Sequence, residues 1–165
     1  MHKFARRFIQ ENANKLTGRV IEIGSLDVNG GIRDLVTIEV GVDMRPGIGV
    51  DLVCKAEDLL THYRVGEFDA CVSLDTLEHV EDWAGFVKTS WELVKEGGWL
   101  VMTMASMLKG RHAYPDDYWR LTEGDIKAIY PHAEVFQVGK TSIGWVVKKE
   151  GSLGKLETVK PYVVP

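Results

Sequence analysis

The chain reads as an α/β protein: a seven-stranded, mainly parallel sheet with helices on both faces, forming one domain over residues 1–150 with a tail over 151–165. Three observations predict it. Short apolar runs alternate with stretches of helical periodicity, the pattern of parallel strands joined by crossover helices. The first run, Val20-Ile-Glu-Ile23, stops at a glycine, Gly24, where a tight turn begins. The second, Glu39-Val-Gly-Val42, is closed by an acid, Asp43.

The elements follow in order. Phe4, Ala5, Phe8 and Ile9 fall on one face of an amphipathic helix that runs to about Leu16, within a leading segment over 1–17. Strand one is Val20–Ile23. A short helix is expected over Gly31–Leu35, then strand two over Glu39–Val42 and strand three over Val50–Cys54. Phe68–Leu74 is the fourth strand. Asp82–Lys95 has the clearest helical pattern, with Trp83, Phe86, Val87 and Val94 on one face and Gly97-Gly98 as its stop. Trp99–Met104 follows as strand five. Thr122 and Asp125 form a variant capping box that starts a helix reaching about Ile129. Ala133–Val138 and Ile143–Lys148 complete the sheet, and the Gly/Pro-punctuated tail is expected to be loosely attached.

Charge and composition exclude several classes. Twenty basic against 24 acidic residues leave a net charge of −4, which argues against nonspecific binding to nucleic acid or an anionic membrane. No apolar run approaches the ~18 residues of a membrane span. Gln10, Glu11 and Asn12 occupy the place of a signal peptide's apolar region, so a cytoplasmic protein is expected. Cys54 and Cys71 fall in predicted strands, as free thiols of a reducing compartment would.

The turn after strand one narrows the ligand. A glycine turn lets the backbone approach an adenosine, and an acid ending the next strand accepts from two ribose hydroxyls. A dinucleotide site wants glycines where Leu26 and Asn29 stand, and Asp27 would repel a pyrophosphate. The phosphate-binding loop ending in Gly-Lys-Ser/Thr is absent. An acidic turn of this kind suits a ligand that carries a cation, such as the sulfonium and ammonium of S-adenosylmethionine.

On these residues the chain resembles a small, single-domain class I (Rossmann-like) S-adenosylmethionine-dependent methyltransferase, over about Val20 to Trp119. Glu22-Ile-Gly-Ser resembles that family's glycine motif and Gly41-Val-Asp43 its ribose-binding acid. Phe68-Asp-Ala-Cys-Val-Ser-Leu-Asp-Thr-Leu-Glu-His79 resembles its fourth-strand motif, and Leu93-Val-Lys-Glu-Gly-Gly-Trp-Leu100 the turn before strand five. The resemblance implies S-adenosylmethionine as cofactor, held by Glu22, Gly24, Ser25, Leu26, Asp43, Met44, Arg45, Ala56, Glu57, Leu74 and Asp75. One departure stands out. Lys55 occupies the place of an acid that accepts from adenine, which leaves the Ala56 backbone to donate to the ring and two readings of Glu57 and Asp58, replacement acceptors or plain loop acids.

Asp75, Glu78 and His79 share one helical face by spacing, and two readings compete. They are metal ligands, or Asp75 lines the cofactor while Glu78 and His79 face substrate. The second is preferred, with no metal and His79 as candidate general base. Arg111-His-Ala-Tyr-Pro-Asp-Asp-Tyr-Trp-Arg120 crowds charges and aromatics into the loop after strand five, which nominates Arg111, Tyr114, Asp117, Trp119 and Arg120 for the acceptor. Similar segments in sugar-linked methyltransferases hint at a hydroxylated small molecule. The expected activity is methyl transfer to its oxygen or nitrogen by a monomer or homodimer. A catalytically silent module and a nicotinamide-dependent oxidoreductase are the alternatives.

Overall fold

A computed structural model describes residues 3–28, 30–112 and 116–165. Its elements are α1 (Lys3–Asn12), β1 (Val20–Ile23), β2 (Val40–Asp43), β3 (Leu52–Val53), β4 (Phe68–Leu74), α2 (Trp83–Leu93), β5 (Val94–Ala105), β6 (Trp119–Arg120), α3 (Glu123–Ile129), β7 (Glu134–Val138), β8 (Ser142–Lys148) and β9 (Tyr162–Val163). Seven strands form one sheet in the order β3-β2-β1-β4-β5-β8-β7. The pairs from β3 through β5 are parallel, and β8 runs antiparallel between β5 and β7.

Side chains on successive strand residues point to opposite faces, and the core divides on that period. Val20, Ala70, Val72 and Val101 pack with Phe8 and Ile9 of α1. Ile21, Ile23, Cys71, Leu100 and Met102 pack with Phe86 and Val87 of α2 and Ile126 and Ile129 of α3. Helices therefore cover both faces, as the sequence predicts. Val20–Ile23 and Phe68–Leu74 keep their predicted limits, and Thr122 with Asp125 makes the full reciprocal capping box. Both cysteines are free.

Five expectations change. The segment 31–35 forms one hydrogen-bonded turn, with Leu35 and Val36 amides on the Ile32 carbonyl, because β-branched Val36, Thr37 and Ile38 draw the chain into extended form. Phe4 is 50% exposed, so the buried stripe of α1 is Ala5, Phe8, Ile9 and Asn12. Strand three shrinks to Leu52–Val53 at the sheet edge. The fourth change concerns the end of α2.

That helix stops at Leu93 without a glycine cap. The Lys149 ammonium, reaching across from the end of β8, donates to the Trp91 and Val94 carbonyls at 2.8 and 2.7 Å and closes the helix end instead. Val94 pairs with Phe68, and the register slips before Ala70 meets Trp99, so Gly97-Gly98 lies in an irregular stretch of β5 rather than at a helix stop. Gly97 has φ +79°, which a glycine adopts without cost.

The fifth concerns the tail, which is packed. Gly154 donates to the Ile129 carbonyl at 2.9 Å, Leu156 and Val159 are buried, and β9 pairs antiparallel with β6. Among the described residues no helix is long and apolar enough to cross a membrane.

Candidate active site

In an open parallel sheet the loops diverge at the carboxyl ends of the strands and leave a crevice there. A cleft of about 840 Å³ occupies that position, lined by residues that follow β1, β2, β3, β4 and β5. Every residue nominated for the cofactor lines it: Glu22, Gly24, Ser25, Leu26, Asp43, Met44, Arg45, Ala56, Glu57, Leu74 and Asp75.

The first wall is the turn after β1. Gly24 and Ser25 amides both donate to the Val42 carbonyl, at 2.8 and 3.0 Å, which locks the turn against β2. Gly24 has φ +83°, and a Cβ there would sit 2.0 Å from Thr76 Oγ1. Only glycine fits. The Asp43 carboxylate accepts from the Arg45 amide at 3.0 Å and more loosely from the Leu26 amide at 3.4 Å. These amides aim the carboxylate and leave it acceptor capacity, since an ionised carboxylate offers about four lone-pair sites. Ser25 Oγ is buried with no protein partner and belongs to this wall. An orphaned hydroxyl, a bare glycine turn and a fixed carboxylate fit a ribose-bearing ligand.

Glu22 lies at the floor of the cleft, 7% exposed. Burial pushes its carboxyl up to about 7; Arg33 opposes the rise, and Asp27 and Asp51 add to it. The acid therefore ionises only as pH passes about 7. A cationic ligand favours the ionised form, so its affinity should climb between pH 6 and 7.5 and flatten in Glu22→Gln. Calorimetry with S-adenosylhomocysteine, whose ammonium persists over that range, checks this. A flat profile in the unsubstituted protein would separate Glu22 from the ligand's charge.

The opposite wall follows β4 and β5. Asp75 has φ +48°, the left-handed region that non-glycine residues seldom enter, and its carboxylate accepts from Thr103 Oγ1 at 3.0 Å. Glu78 is fully buried: one carboxylate oxygen accepts from the Ala105 amide at 2.9 Å and the other has no hydrogen-bond partner. Burial, with Asp75 adding, pushes its carboxyl up to about 8. His79 lines the cleft with its Nδ1 tied to the Asp116 carbonyl. Its ring meets His112 edge-on, centroids 5.0 Å apart. Donor atoms of Glu78, His79 and His112 lie within 4.8 Å of one another, a spacing that a divalent ion can occupy.

The acceptor nominations fare differently. Tyr114 lies outside the described residues. Arg111, Asp117, Trp119 and Arg120 are not among the residues that line the cleft. Arg111 reaches the Pro165 carbonyl, and the Trp119 indole donates to the Val80 carbonyl. Asp117 and Arg120 form a buried ion pair. The same loop instead presents Lys109, His112, Asp116 and Tyr118 to the cleft. None of these four was nominated from the sequence, and neither was Glu81. The i, i+3 spacing of Asp117 and Arg120 was the available signal, since it puts two opposite charges in reach of each other.

Comparison with known proteins agrees with the geometry. The model of a family described as "Methyltransferase domain" matches residues 1–138. The ubiquinone biosynthesis O-methyltransferase of Burkholderia vietnamiensis is 29% identical over 91 residues, which span 53% of this chain and 37% of that protein, well under half its length. Among solved structures, the 1,6-didemethyltoxoflavin-N1-methyltransferase of Burkholderia thailandensis, crystallised with its substrate and S-adenosylhomocysteine, superposes with a TM-score of 0.66 at 11% identity, covering 90% of this chain and 79% of that one. A methyltransferase from Archaeoglobus fulgidus gives 0.66 at 10% identity, with coverage of 89% and 94%. At such identities the likeness is one of fold.

Proposed function

This chain belongs to the methyltransferase-domain family, and from that membership we infer that it moves a methyl group from S-adenosylmethionine to an oxygen or nitrogen of a small, hydroxylated acceptor. The observation that carries the reading is the cleft itself. Among the described residues, one glycine turn and nine acids, among them Glu22, Asp27, Asp43 and Asp75, line it against three basic side chains, Arg45, Lys55 and Lys109, an environment for a cationic nucleoside. The neighbours named above include one O- and one N-methyltransferase, so kinship leaves both acceptor atoms open.

When bound, the cofactor supplies an electrophilic methyl on a sulfonium whose sulfur leaves neutral. The chain supplies position. Asp43 takes the ribose hydroxyls, the backbone at Gly24 and Ser25 approaches the ligand closely, and Glu22 answers its positive charge. Ala56 and Glu57, which line the cleft beside Lys55, would serve the base in place of the missing acid. Alignment of acceptor and methyl, with water excluded, is worth on the order of 7–11 kcal/mol. The acceptor enters from the side of His79, His112, Asp116 and Tyr118, where an imidazole removes its proton.

Calorimetry tests the cofactor. S-adenosylmethionine and its demethylated product should bind in the micromolar range while NAD does not. Tighter binding of NAD would replace this reading by the oxidoreductase alternative.

A further inference from the structure

His112 stands in a setting of its own among the described residues of the loop. Its side chain is about one-third exposed and faces the cleft. Behind it, Asp117 Oδ2 lies 3.0 Å from Nδ1, off the hydrogen-bond line but inside ion-pair distance, and the same oxygen accepts the His112 main-chain amide at 2.9 Å. Asp117 is itself immobilised. Both its oxygens bind the guanidinium of Arg120, a fully buried side chain that also donates to the Trp119 carbonyl at 2.8 Å. His112 Nε2 lies 3.9 Å from Oε1 of the buried Glu78.

We propose that His112 is the proton acceptor of the reaction, with Asp117 as its positioning residue and Arg120 as the anchor of Asp117. The assignment rests on the methyl-transfer reading above and names which imidazole serves it. The charge of a carboxylate 3.0 Å from Nδ1 favours the proton on that nitrogen, leaves the lone pair on Nε2 and stabilises the imidazolium once formed. His79 has a carbonyl at its Nδ1, which orients a ring but offers no full negative charge. The acceptor's O–H or N–H proton passes to His112 Nε2 as its lone pair turns to the methyl carbon, and the imidazolium then returns that proton to water.

Three further features agree with the assignment. Burial lowers the His112 pKa, against the upward pull of Asp117, which favours the neutral ring that a proton acceptor needs. Asp117 is held ionised: burial alone would raise its carboxyl, but Arg120 and the His112 amide bring it down to about 2. Glu78 is fully buried, which raises its carboxyl toward the protonated form, and one of its oxygens is already committed to the Ala105 amide.

Nitrogen NMR of histidine-labelled protein bound to S-adenosylhomocysteine tests the arrangement without needing the acceptor. Unsubstituted protein should show His112 as the neutral Nδ1–H tautomer at pH 7, and Asp117→Asn should move the population toward Nε2–H. Circular dichroism and retained S-adenosylhomocysteine binding check that the variant is folded; if it is not, the tautomer in unsubstituted protein still decides. An Nε2–H tautomer there, or one indifferent to Asp117→Asn, would overturn the proposal. So would 1:1 binding of Zn²⁺ that disappears in His112→Ala, which would make Nε2 a metal ligand. Loss of S-adenosylhomocysteine binding by unsubstituted protein would instead sink the methyl-transfer reading, so the two failures are distinguishable.

Discussion

Replacing Arg120 with alanine should destabilise the protein by about 3–5 kcal/mol, the usual cost of leaving one member of a buried ion pair alone. The reason is local. Arg120 is 1% exposed, and its guanidinium satisfies both oxygens of Asp117. Without it a buried carboxylate keeps only the His112 main chain and ring as partners. Urea unfolding measures the effect as a lower midpoint at unchanged slope. A loss under about 1 kcal/mol would place the pair among the near-neutral surface bridges.

The same pair sets an acid response. Asp117 has its carboxyl lowered to about 2 in the folded chain, against an ordinary value of about 3.9. A depressed folded pKa contributes stability that is complete above the unfolded value and fades as pH falls from about 4 toward 2. Arg120→Ala should weaken that acid-dependent loss as well as lower the plateau.

The second large effect belongs to Asp43. Asp43→Ala removes the carboxylate proposed to take the ribose hydroxyls, each charge-assisted bond being worth about 1.5–3 kcal/mol. Affinity for S-adenosylhomocysteine should fall at least tenfold, because about 1.4 kcal/mol is one decade. Stability should change little, since Asp43 is half-buried and accepts only two local amides. Calorimetry on the folded variant decides. An unchanged dissociation constant would reduce Asp43 to an acid that shapes its own turn.

Much of the cleft lining was legible in the sequence for a physical reason. Residues just after parallel strands must face the crevice, so locating β1, β2 and β4 locates Gly24, Asp43 and Asp75 as well. Backbone geometry does that work, and glycines with acids betray it. The acceptor wall was less legible because it hangs on a long crossover, where residue type does not say which way a side chain turns. Asp117 and Arg120 are polar enough to suggest a substrate, yet they neutralise each other in the interior. His112, nominated by nothing in its spacing, is left facing the cleft. The end of α2 failed for a similar reason. Its cap is a lysine more than fifty residues away, and local glycines pointed to the wrong stop.

The pairing of β9 with β6 has a consequence for the order in which the protein is made. Residues of the cofactor wall, from Glu22 to Asp75, all emerge early in synthesis, and the strands that carry them pair with one another. The segment that follows the acceptor loop gains its partner strand only when Tyr162 and Val163 arrive. A nascent chain can thus complete the β1–β4 side of the cleft while the segment after the loop still lacks its partner strand, since domains assemble progressively from the N-terminal side. Ribosome-bound chains halted before Tyr162 should retain S-adenosylhomocysteine while the loop around His112 stays open to protease.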